Sequence, residues 1–125
     1  MRGNFVLLRA DNLRLIVPQA DVGAASYIEM GDGAQCVSLS DSMKLLPGRP
    51  AERFIAAEFS GEYAGTAWCW DELRVLIDAQ LDPVEVPKAL RSDDSPVQAY
   101  VEIDGELAYL CTAESICRYA LTEQA

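Results

Sequence analysis

Apolar and polar residues alternate with a period of two along much of this chain, and turn residues break the alternation at short intervals. In residues 4–10, Phe5, Leu7 and Arg9 oppose Val6, Leu8 and Ala10. In residues 13–17, Leu13, Leu15 and Val17 share a face opposite Arg14. Asp11-Asn12 between them tolerates the left-handed backbone of a two-residue turn, so a β-hairpin is predicted here. Pro18 has no N–H to donate, and the second strand ends there or runs along an edge. The same pattern returns in residues 97–111, where two apolar runs flank Asp104-Gly105. That dipeptide signals a type I′ turn, because both central residues must accept positive φ. Thr112 can then cap a short helix with Ala113, Ile116, Cys117 and Ala120 on one face.

Between these hairpins the pattern is weaker. Residues 21–25 suit one helical turn or a bend, and residues 26–30 suit a strand. Gly31-Asp32-Gly33 would turn the chain so that residues 34–39 return as its partner. Residues 40–50, with two prolines and a glycine, read as a surface loop. Residues 52–60 read as a strand, with a short helix as the alternative. Gly61 and Gly65 bracket a turn before a strand at 66–70. In residues 71–81 two periods compete: Leu73, Leu76, Ile77 and Leu81 suit a helix capped by Asp71, while Leu73, Val75 and Ile77 suit a strand. The β-branched Val75 and Ile77 tilt the reading towards strand. Residues 82–96, with three prolines and the polar cluster Ser92-Asp93-Asp94-Ser95, form a connection. Seven to nine short strands with closely spaced turns favour a mainly β (α+β) barrel or sandwich with a short C-terminal helix.

Length and charge narrow the function. A chain of 125 residues, half of them hydrophobic, can bury a continuous core as one domain, residues 1–125, without metal or disulfide support. A formal charge of −10 disfavours nucleic acid and anionic membrane surfaces, both of which need clustered Lys and Arg. Solubility is the ordinary meaning of such acidity, and a basic protein surface is its natural electrostatic partner. Near the start only FVLL is continuously apolar before Arg9, Asp11 and Arg14, so the apolar core of a signal peptide is missing. A cytoplasmic protein is expected, with Cys36, Cys69, Cys111 and Cys117 reduced.

The inventory of reactive groups argues against most catalysis. The chain has no histidine, which removes the usual base and the usual activator of serine or cysteine. Its cysteines lack metal or redox spacing, Cys111 and Cys117 lying six positions apart, and buried inert thiols are the default. Cys117 alone has a cationic sequence neighbour, Arg118. Acids such as Asp71, Glu72, Asp78, Asp82 and Glu85 could divide acid and base roles, although solvated surface is their common fate. No phosphate-binding loop is present, and no cofactor or metal site is indicated. The most unusual local feature is Trp68-Cys69-Trp70, whose indoles share a face if the segment is a strand. Core packing is the first reading of that face. If it is exposed, Trp68 and Trp70, extended by Tyr63, become the candidate protein-binding residues.

Two segments resemble the CheW-like domain, the adaptor module of bacterial chemotaxis signalling. Residues 5–22 (FVLLRADNLRLIVPQADV) resemble its opening: an apolar strand, a tight polar turn, a second strand ending in an apolar-Pro pair, and a polar stretch carrying a valine. Residues 84–110 (VEVPKALRSDDSPVQAYVEIDGELAYL) resemble its Val-Pro element, linker and glycine-turn hairpin, with Asp104-Gly105 where that family usually has Arg-Gly. The resemblance implies a pair of small antiparallel SH3-like β-barrels and a non-catalytic role in docking a histidine kinase or receptor. An accessory subunit of a larger assembly, or a small enzyme using a carboxylate pair or a reactive cysteine, are the alternatives.

Overall fold

The computed structural model describes residues 1–27, 37–40, 42–46, 50, 53–61, 66–85, 97 and 99–122. Strands β1 (Arg2–Ala10) and β2 (Leu13–Pro18) form the expected hairpin, with Ala10 opposite Leu13 and Asp11 at φ 55° in the turn. A 3-10 turn at Gln19–Asp21 leads into β3 (Val22–Tyr27), so the strand begins where a bend was expected. Next come β4 (Val37–Ser38), β5 (Ile55–Phe59) and β6 (Ala67–Trp70). Strand β7 (Glu72–Gln80) follows the two-residue period and pairs along β1. After β8 (Val84–Glu85), β9 (Ala99–Ile103) and β10 (Glu106–Leu110) close the second hairpin. There Asp104 and Gly105 lie at φ 53° and 80°, as a type I′ turn requires.

These strands make two mixed sheets, ordered β7-β1-β2-β10-β9-β8 and β3-β5-β6-β4. The chain is β-rich α+β with one short C-terminal helix among the described residues, as the pattern foretold. Two expectations are corrected. The sheets are not purely antiparallel, because β10 runs parallel to β2 and β4 parallel to β6. Residues 34–39 were expected to fold back on residues 26–30; residues 28–36 lie outside the described residues, but residues 37–38 lie beside β6 and residues 26–27 pair with β5. Strands β5 and β6 carry Phe59, Trp68 and Trp70, all buried, and take the centre of the sheet. Small-residue β3 and two-residue β4 are left at its edges.

The six-stranded sheet curls strongly. Its two outermost strands, β7 ending at Gln80 and β8 starting at Val84, are joined by so short a segment that it spans at most about 14 Å, whereas a flat sheet would hold them about 24 Å apart. Arg74 of β7 also reaches Asp104 in the β9–β10 turn at 2.9 Å. Inside the curl Phe5, Leu7, Ile16, Leu81, Val101 and Ala108 form one core cluster. The outer strands β7 and β8 do not pair with each other, so the curl falls short of the closed barrel expected from sequence.

On the other face of β1 and β2, Val6, Leu8, Leu15 and Val17 pack against Phe59, Trp68 and Trp70 and against the helix. The first hairpin is therefore buried on both faces, which accounts for its nearly continuous apolar runs. Helix α1 (Ala113–Thr122) presents Ala113, Ile116, Cys117 and Ala120 to this larger core, as its periodicity indicated. Its start is capped reciprocally: the Ser115 N–H donates to Thr112 Oγ1 (3.1 Å), and the Thr112 N–H to Ser115 Oγ (3.0 Å). Asp21 accepts the Ala113 N–H at 2.9 Å, which places a carboxylate at the positive end of the helix and ties it to the 3-10 turn.

Arg53 joins the two sheets from a fully buried position, 0% exposed. Its guanidinium donates to the Leu39 carbonyl (2.7 Å), to Asp71 Oδ2 (3.2 Å) and to Asp11 Oδ2 (3.3 Å). Asp71 also accepts the Asp11 N–H at 2.6 Å. One buried cation thus fixes the β1–β2 turn, the β6–β7 junction and the end of β4 together. No helix among the described residues is long and apolar enough to cross a membrane.

A candidate protein-docking groove

Two of the residues singled out as protein-binding candidates, Trp68 and Trp70, do not lie on the surface. Trp68 and Trp70 do share a face of β6, but they are 1% and 0% exposed, packed around the ring of Phe59 at centroid distances of 5.6 and 6.3 Å. Their faces are covered by the first hairpin and the helix, so burial overturns the exposed reading and bears out core packing. Neither indole Nε1 has a hydrogen-bond partner among the described residues. Tyr63 lies outside the described residues, as does Cys36.

The candidate nucleophiles are similarly enclosed. Cys69, Cys111 and Cys117 are buried and free. Burial pushes the Cys111 and Cys117 thiols up to about 12, far from a neutral-pH thiolate. Arg118 does not activate Cys117, because it points outward to Glu114 on the exposed face of the helix. Among the acids, Asp71 binds Arg53, Glu72 binds Arg9 and Asp78 binds Arg2. No group of three or more metal-ligating side chains is found among the described residues.

A groove of about 750 Å³ opens instead where the six-stranded sheet fails to close. Its walls are the segment from Gln80 to Val84, which crosses from β7 to β8, and the β9–β10 hairpin. Strand pairing sets Val84 opposite Tyr100, Glu102 opposite Leu107 and Tyr100 opposite Tyr109, so all five share one face. Tyr109 still leans on the large core, but beyond it the cover ends. Val84 and Leu107 are each 49% exposed, and Tyr100 is half-buried between them.

Among the described residues the edge of β9 is also open here. In a two-residue hairpin Ile103 and Glu106 exchange backbone hydrogen bonds, so the alternation turns the N–H and C=O of Glu102 away from β10. Strand β8 covers this edge only at Tyr100 and Ala99. Continuing its register would set Pro83 opposite Val101 and Asp82 opposite Glu102. Two carboxylates brought opposite each other would oppose pairing, and there the ladder stops. Asp82, Glu85 and Glu102 are exposed, with no ion-pair partner among the described residues. The neighbouring Asp104 and Glu106 are already bound by Arg74 and Arg14.

Among the described residues the groove thus combines apolar walls, an unpaired strand edge and uncompensated negative charge. Sequence reasoning had noted Asp82 and Glu85 only as scattered acids and had passed over Val84, Glu102 and Leu107. The signal for them was the polar-apolar alternation of residues 99–110, whose Leu107 lies on the same face as Glu102. A scan against protein-family models and a search of curated proteins found no match to this chain.

Proposed function

We propose that this chain is a non-catalytic protein-interaction module, and that its sharpest form is a CheW-like adaptor in bacterial signal transduction that docks a histidine kinase or receptor in the cytoplasm. The groove beside β9 carries this reading, since apolar surface, open backbone and unpaired charge together suit a protein segment. The groove's own acids, Asp82 and Glu102, are both exposed, whereas a carboxylate pair that divides acid and base work needs unlike environments. The buried thiols likewise suit packing better than nucleophilic attack.

Affinity capture of the tagged protein from its source organism's lysate tests the proposal, with bound proteins identified at low and high salt. A histidine kinase or receptor that is released as salt rises supports the adaptor. Substrate turnover by the purified chain, lost when Asp82 and Glu102 are neutralised, would overturn it.

A further inference from the structure

We propose that the occupant of the groove is an extended, lysine- or arginine-bearing segment of another protein, added as a strand along the open edge of β9. The inference rests on reading the groove as a docking surface and adds the chemistry of its partner. Three features carry it. The outward N–H and C=O of Glu102 offer an incoming strand one donor and one acceptor at ladder spacing. Asp82 and Glu102 both line the groove without a cation of their own among the described residues, so a basic side chain seated there would find charge to pair with. Val84, Tyr100 and Leu107 supply an apolar shelf on one face of the strand position, where alternate side chains of the segment would rest. An acidic segment meets the same edge with like charge and is rejected, which is how charge confers specificity at such a site.

The test is a backbone-amide NMR titration of the full chain with a short acetylated peptide alternating lysine and valine. A glutamate-valine peptide and a lysine-valine peptide with alternate amides methylated serve as controls. The lysine peptide should shift the amides of Val101, Glu102 and Leu107 saturably, and it should weaken as salt rises. Methylation, which removes the ladder donors, and Glu102→Lys should each weaken binding by about tenfold or more. Glu102→Gln should give a smaller loss, with the fold checked in each variant by an unchanged thermal transition. Equal binding of the lysine and glutamate peptides, shifts confined to another face, or no saturable binding of the lysine peptide would overturn the inference. Should an identified kinase or receptor still bind Glu102→Lys as tightly as wild type, the adaptor reading stands and this assignment of its partner's chemistry falls.

Discussion

Trp68 and Trp70 on β6, and Val84 and Leu107 on the β8–β9–β10 ribbon, are both sets of apolar side chains sharing one face of a sheet. The first set is sealed under the opening hairpin and the C-terminal helix, whereas the second is half open to solvent. What differs is the layer laid over each sheet. Side chains of the hairpin and the helix share one core with those of β5 and β6, and on the outer face of the β9–β10 ribbon only Tyr109 among the described residues joins that core. The bulkiest aromatic pair is therefore structural, and a less conspicuous valine and leucine become the available surface.

Perturbations should separate the two regions by kind of effect. Trp70→Ala should destabilise most, by about 3–5 kcal/mol, since the site is closed and cannot collapse fully. Chemical denaturation would measure it, and a loss under about 1 kcal/mol would mean that the indole is not a core element. Arg53→Met should cost about 3 kcal/mol, because Asp71 and the Leu39 carbonyl lose a buried donor that methionine cannot replace. Alkali should weaken the helix side of the large core. Between pH 9.0 and about 12 the unfolded chain gives up the Cys111 and Cys117 protons while the folded chain keeps them, so raising the pH favours unfolding. The slope should approach about 1.4 kcal/mol per pH unit for each thiol and flatten in Cys111→Ala/Cys117→Ala. Gly105→Ala should cost about 1 kcal/mol, because φ 80° strains an L-residue while its added Cβ meets no neighbour within 4 Å. Leu107→Asp should change stability least, by under about 0.5 kcal/mol, while abolishing partner binding.

How legible each feature was in the sequence follows from the range of the interactions that make it. The Asp11-Asn12 and Asp104-Gly105 turns, the Thr112 cap and the buried face of α1 depend on residues a few positions apart, and the local pattern was enough. The parallel pairing of β4 with β6 depends on segments 31 residues apart in register, Val37 with Trp68, and no local rule contains it. Arg53 looked like any charged residue within the predicted strand at 52–60. Only the convergence of Asp11, Leu39 and Asp71 gives it a buried role. The groove was hidden for a similar reason: Asp82 and Glu102 come to line it together only through the pairing of β8 with β9, which the intervening connection does not encode.

The most direct test compares hydrogen exchange in the chain alone and bound to its identified kinase or receptor partner. Docking in the groove requires slowed exchange centred on Glu102 and extending to Leu107, with the amides of Trp68 and Trp70 unchanged. Protection confined to the four-stranded sheet, with Glu102 exchanging as fast as in the free chain, would contradict it.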